Sequence, residues 1–395
     1  MSPSDPLPRF AAAVSTSKDT VAATREVCVT AKAALGADVN LAMLFGSADH
    51  QEQFDDVAEI LSSELGADCL LGCTGESIVA GAREIENSPA LALWVAHLPG
   101  VTLRPMHLEF NPTADGGSFT GWHDALDGDW PADASLLLLG DPFSFPVDVL
   151  LSRMNEDRPG VRIFGGMASG GWGPGQNRLL AGSRAVDRGA TAVLVHGPVT
   201  LTGVVSQGCR PIGKPLVVTK SEQNVILELG GQPAVAQLQE IYNDLSDEEC
   251  RLVREGLHVG IVTDEYRESF CHGDFLIRNV QGFDPNLGAI VIGDFVRPGQ
   301  TLQFHVRDAA TADEDLDALV AAARQGPAAG ARGALVFTCN GRGTRLFDTA
   351  DHDAAKLAQY WPGLPTAGFF AAGEIGPIGR RNFLHGFTAS VVLWG

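Results

Sequence analysis

A strand–helix–strand–strand block recurs three times along this chain. The first copy runs Leu41–Gly46, a helix over 51–65, Cys69–Glu76 and a returning strand Ala90–Ala96. The second runs Ser135–Gly140, a helix near 146–156, Val161–Gly170 and Ala190–Val195. The third runs Gly333–Thr338, a helix near 351–361, Pro365–Glu374 and Phe387–Trp394. In each copy the second strand enters a Gly-rich turn. The strands are apolar along their whole length, which fits sheets covered on both faces. The expected fold is therefore α/β: two tightly associated domains built from these repeated strand–helix–strand–strand blocks, with mixed β-sheets flanked by helices. Gly-rich turns at equivalent positions are expected at equivalent sheet edges, where α/β proteins bind small ligands.

At 395 residues the chain suits two domains, and 45% hydrophobic residues is enough to bury a core. The formal net charge of −20 repels phosphate backbones and anionic lipid, so neither nucleic acid nor a membrane surface is an expected partner. No apolar run approaches the roughly 18 to 20 residues of a membrane helix. Met1-Ser-Pro-Ser-Asp-Pro-Leu-Pro8 has neither the basic start nor the apolar core of a signal peptide. Seven cysteines without framework spacing point to a reduced, cytoplasmic protein.

Residues 1–17 read as a flexible leader, followed by a helix to Leu35 that Gly36 stops. Residues 203–245 differ from the blocks. They hold a hairpin of Pro215–Thr219 and Asn224–Leu229, then a helix opened by Pro233. The domain boundary falls near 220–230, dividing the chain into 18–225 and 226–395. The second half opens with a polar helix over 246–256 and continues with strands near 258–263, 275–280, 289–293 and 301–306. A helix over 312–325 leads into the third block.

Several of these segments resemble the FIST family. Gly203–Gly213, with its Ser-Gln-Gly-Cys-Arg-Pro-Ile-Gly core, and Asn224–Ala234 resemble the junction of the FIST N-terminal and C-terminal domains. Gly333–Phe347 is similar to the family's Cys-x-Gly-Arg-Gly segment. Gly368–Pro377 with Asn382–Thr388 resembles its closing motif. The resemblance covers roughly residues 30–395 and implies an intracellular sensory module that binds a small ligand, amino acids being a suggested class. Family members occur beside F-box, chemotaxis or other output domains. Here no residues remain for such a domain, so a separate signalling partner protein is expected.

Cys339-Asn340-Gly341-Arg342-Gly343 follows an apolar strand and so sits at its C-terminal edge. Glycines let backbone N–H groups approach a ligand, and an arginine offers a fork for a carboxylate. The same residues also suit a tight turn in which Arg342 pairs with a nearby acid. Glu76 and Glu374 each follow a glycine in what read as equivalent turns. They suit acid/base work or an amine, and equally the capping of helices or turns. Ser169 stands where the middle block would carry that glutamate. Ser206–Arg210 bunches polar groups in a turn, where Arg210 serves either a ligand or a carbonyl. Asn382 and His385 lie beyond the Glu374 turn. Cys271-His272 and Asp351-His352-Asp353 lack a second half at metal spacing, the latter reading as an N-terminal helix cap. No phosphate loop or dinucleotide fingerprint is present, and no cofactor is expected.

The expected function is a sensor binding an amino acid or related small carboxylate between its two domains, with Cys339, Asn340, Gly341, Arg342, Gly343, Glu374, Glu76, Arg210 and Ser169 as the ligand-binding set and no catalytic residue. Two alternatives stay open. One is an enzyme using Cys339 as nucleophile with His385 or a glutamate as base; the other is an interaction module without a small ligand.

Overall fold

A computed structural model describes residues 7–113, 116–126, 128, 130–267, 269–270 and 273–395. Cys271-His272 lies outside the described residues. The chain forms two compact units, and both are discontinuous. The first runs to Val205 and resumes at Leu316–Leu384 and Thr388–Gly395. The second comprises Ser206–Asp315 and His385–Phe387.

The first block contains β1 (Arg9–Ser15), α1 (Thr20–Leu35), β2 (Leu41–Ser47), α2 (Phe54–Leu65), β3 (Cys69–Gly75), β4 (Ile78–Ala80), β5 (Arg83–Ile85) and β6 (Leu91–His97). The second contains β7 (Thr102–Asn111), β8 (Ser118–Thr120), β9 (Ser135–Gly140), α3 (Val147–Asp157), β10 (Arg162–Met167), β11 (Leu179–Ala181), β12 (Arg184–Val186) and β13 (Ala190–His196). β14 (Leu201–Gln207) follows. Next come β15 (Cys209–Glu222), β16 (Val225–Leu229), β17 (Gln232–Pro233), α4 (Ala234–Asn243), α5 (Asp247–Glu255), β18 (Leu257–Val262), β19 (Phe275–Asp284), β20 (Ala289–Ile292) and β21 (Thr301–Arg307). After α6 (Ala309–Gln325), the third block holds β22 (Gly333–Cys339), α7 (His352–Tyr360), β23 (Thr366–Ala371), β24 (Glu374–Ile378), β25 (Arg381–His385) and β26 (Thr388–Trp394).

The three blocks belong to one unit. Each supplies a parallel pair, β2–β3, β9–β10 or β22–β23, and lays its last strand antiparallel beside the first of the pair. The hairpin after the second strand leaves its own sheet. β11–β12 joins β3, β24–β25 joins β10, and β4–β5 joins β23. The blocks thus exchange hairpins in a ring, and the Gly-rich turns are the crossings. They converge and bond to one another. The N–H groups of Ser169 and Gly170 donate to the Thr74 carbonyl, Phe370 N–H donates to Ser77, and Met167 N–H donates to Gly373.

Register fixes the equivalence of the copies and corrects one expectation. Gly72, Gly165 and Gly368 lie opposite Leu44, Leu138 and Val336. At these three places a Cβ would stand 2.4, 1.8 and 1.8 Å from the carbonyl oxygen of the opposite residue, so only glycine fits. One residue on, Cys73, Gly166 and Phe369 pair with Leu179, Glu374 and Ile78. Glu374 is therefore the counterpart of Ile78 and Leu179, two positions out of step with Glu76. The shared Gly-Glu dipeptide is coincidental, because Gly75 ends a strand while Gly373 lies between two.

The inner faces of the three sheets share one core, in which Phe45 packs against Phe337 and Phe369, and Trp94 against Trp394. The outer faces are covered by α1 and α2, by α3, and by α6 and α7. Local signals set these helices. The Asp19 carboxylate accepts the Ala22 N–H at the start of α1, and Gly36 closes it at φ 61°.

Two further expectations change. Residues 9–15 of the expected leader form β1, paired with β6 along its whole length, with Phe10 stacked on Trp94. The run of alanines there carries weak strand propensity, so the pairing decides it. Residues 1–6 lie outside the described residues. The second unit is not built from the blocks. β15, β21, β18, β19, β20 and β16 pair antiparallel in that order, and β15 pairs back with β16 to close a barrel around Val259, Phe304 and Ile290. β15 serves both ends of the order because bulges after Ile212 and Val218 bend it. The boundary expected at 225/226 falls inside this barrel, at the start of β16.

Candidate functional site

β22 ends at Cys339, and the chain turns through Asn340-Gly341-Arg342 into a short 3-10 helix, Gly343–Arg345. Asn340 N–H donates to Ala371 O, and Arg342 N–H to Cys339 O. Gly343, at φ 59°, lets the turn pass Glu86 Oε1, which a Cβ would approach to 2.7 Å. Glu86 in turn accepts the Thr344 N–H and hydroxyl.

Arg342 points inward. Its Nε and Nη2 each donate to one oxygen of Asp353 at 2.7 Å, and the pair is 1% and 2% exposed. Its guanidinium lies over the Phe347 ring, which stacks on His352. Asp353 also accepts from Thr338 Oγ1 at 2.6 Å and contacts His352 Nδ1 at 2.9 Å. Burial opposes both charges, yet Arg342 holds Asp353 well below the usual carboxylate range, and Asp353 holds Arg342 further up. A buried, forked ion pair is the alternative reading of Arg342 stated above, and it uses two of the arginine's three nitrogens internally.

Asp353 does not cap α7. Asp351, the residue before the helix, sits at φ 64° without a side-chain capping bond and accepts the Glu84 N–H instead. The cap comes from β5. Glu84 Oε1 accepts the N–H groups of Asp353 and Ala354 at 2.9 and 3.1 Å. Burial and the neighbouring Asp353 push Glu84 up to about 8. Nothing in the sequence around Glu84 announces this, because its hairpin leaves its own block to reach α7.

Glu374 is wholly buried. Its Oε2 accepts the Thr388 N–H and hydroxyl at 3.2 and 2.8 Å, and the Cys339 thiol lies against the same carboxyl. Burial raises it to about 8, against the pull of Thr388, Cys339 and Arg342. At neutral pH it carries its proton. Four buried polar atoms of this cluster have no hydrogen-bond partner of good geometry: Glu84 Oε2, Asn340 Oδ1, Arg342 Nη1 and Glu374 Oε1.

The other expected residues divide. Glu76 pairs with Arg345 at the surface, and its N–H is taken by Ser169 Oγ, which also donates to Phe370 O. Ser169 thus ties the three crossings together and spends its hydroxyl on protein. Arg210 belongs to the second unit, where it donates to Asp308 and Glu249. Asn382 is structural: it bonds Ile163 N–H, Val161 O and Asn155. Among the described residues no group of three or more His, Cys, Asp or Glu side chains is placed to hold a metal ion, and no helix is long and apolar enough to cross a membrane.

Three sheets that exchange hairpins in a ring carry this cluster, and the barrel's sequence is inserted between the second and third blocks. The chain matches the FIST N domain over residues 40–232 and the FIST C domain over 234–377. It is also similar to an uncharacterised protein of Mycobacterium tuberculosis, 44% identical over 390 residues, which is 98% of this chain and 99% of that one. An uncharacterised protein of Mycobacterium bovis is 43% identical over 387 residues, 98% of each chain. The chain belongs to the FIST family, whose domains are generally described as sensory, signal-transduction domains. The break between the two family domains falls inside the barrel, so each domain contributes to both compact units.

Proposed function

We propose that this protein is a sensory module that binds a small zwitterion, an amino acid or a closely related carboxylate, at the turn after β22. The supporting observation is the set of unmet polar atoms around that turn. Buried polar groups are satisfied in nearly all folded proteins, so four in one cluster call for an occupant. Their chemistry is mixed. Arg342 Nη1 is a donor suited to a carboxylate, while Asn340 Oδ1 and, once Glu374 has given up its proton, Glu374 Oε1 are acceptors suited to an ammonium group. The partly exposed residues Cys339, Asn340 and Gly341 give the approach. A bound ammonium would favour the ionised form of Glu374, linking occupancy to the charge at the heart of the hairpin ring. Output passes to a separate partner protein.

Calorimetric titration of the full chain with a panel of amino acids and small carboxylates tests this. Saturable binding is expected, weakened at least tenfold by Asn340→Ala and by Glu374→Gln. A folded protein that binds none of them refutes the reading.

One contact favours a second reading. The Cys339 thiol lies against Glu374, a carboxyl poised near 8, which is an arrangement for passing the thiol proton to a base. On that reading Cys339 reacts with iodoacetamide, the rate rises with pH through about 8, and Glu374→Gln slows it. A thiol that is inert in the folded protein rules out nucleophilic chemistry there.

A further inference from the structure

We propose that the first unit carries a second binding site, for a small multiply charged anion such as a phosphate ester or a polycarboxylate, in a groove of about 680 Å³. The groove lies where α1, α6 and α7 end, and Arg9, Arg324 and Arg332 line it together with Tyr360 and Trp361. No acidic side chain lines it. That is unusual for this chain, in which 48 acidic residues outnumber 28 lysines and arginines.

Helix C-termini offer carbonyl oxygens, and arginines near them are commonly used up as caps. Here the caps leave most donors over. Each guanidinium carries about five N–H groups. Arg9 gives one to Gly36 O, at the long distance of 3.5 Å. Arg324 gives Nε to Tyr360 O and Nη1 to Ala329 O, and lies over the Trp361 ring. Among the described residues no side-chain hydrogen bond engages Arg332, and no ion pair engages any of the three. Three uncompensated guanidiniums on one concave surface recognise an anion with several oxygens, through paired N–H···O bonds. The volume lies within the usual range for small-ligand sites, and the tyrosine and tryptophan supply a wall for an organic body. Nothing in this groove belongs to the Cys339 cluster, so the two sites stand or fall separately.

The test is calorimetric titration of the full chain at about 50 mM and about 300 mM salt, with pyrophosphate and citrate as probes. Saturable binding of at least one probe is expected at low salt, weakened several-fold at high salt. The better probe identifies the anion class. Arg9→Ala and Arg332→Ala should each weaken it tenfold or more, while replacing Arg153, an exposed arginine of α3 outside the groove that donates to Gly117 O, with alanine leaves it unchanged. Arg324 is left alone because it also ties α6 to α7. No saturable binding of either probe overturns the proposal. So does binding that survives both arginine replacements, or that falls equally with Arg153→Ala.

Discussion

Replacing Glu374 with glutamine tests the central electrostatic feature of the cluster. In the folded chain Glu374 keeps its proton up to about 8, against 4.5 for an ordinary glutamate. Between those values the unfolded chain has lost the proton and the folded chain has not. Unfolding therefore releases a proton, and stability falls as pH rises through that window, the loss being complete above pH 8. The gap is worth about 5 kcal/mol at full ionisation and about 3 kcal/mol at pH 7. Glutamine keeps the shape and can still accept from Thr388, but it never ionises. Glu374→Gln should match the parent near pH 4.5 and exceed it increasingly up to about pH 8, the gain levelling off above that. Urea unfolding followed by tryptophan emission reads the right part of the molecule, since all six tryptophans lie in the first unit. Comparing variant with parent at each pH cancels every other titrating group. A difference that stays constant from pH 5 to 9 refutes the picture of a buried, protonated acid.

Asp353→Ala strands Arg342 as a buried unpaired charge and should cost about 3–5 kcal/mol, whereas the double change Arg342→Met with Asp353→Leu should recover most of it; urea midpoints decide. Gly368→Ala drives a methyl group into the Val336 carbonyl, and the expected outcome is insoluble or unfolded protein on expression. Breaking the exposed Arg345–Glu76 pair with Arg345→Ala should change stability by less than about 1 kcal/mol, measured the same way. In the barrel, His258 is buried beside Arg307 and His305 and is lowered to about 4. The folded barrel keeps it neutral while the unfolded chain takes a proton below about 6.5, so stability falls as pH drops from 6.5 towards 4. A proton NMR titration should find its imidazole neutral at pH 5.

Local information in the chain accounts for the repeated units. The alternation of apolar strands with helices, the Asp19 and Gly36 caps of α1, and glycines at strand ends are all properties of neighbouring residues. They place the elements of every block within a few positions and mark the Cys339–Gly343 turn as a candidate site. What the sequence could not settle depends on which strand lies next to which. Each short hairpin is three to five residues a strand, too brief for a periodic signal, and its partner sits in another block. That exchange sets Glu374 opposite Gly166, brings Glu84 to the start of α7, and gathers the three turns. The pairing of Arg342 with Asp353 has the same origin. Eleven residues separate them, and the turn and helix between them carry both side chains into one buried space. The sequence by itself thus determined the parts and the family. The tertiary structure decided which charges are buried together, because desolvation and pairing depend on distances in space that no spacing along the chain encodes.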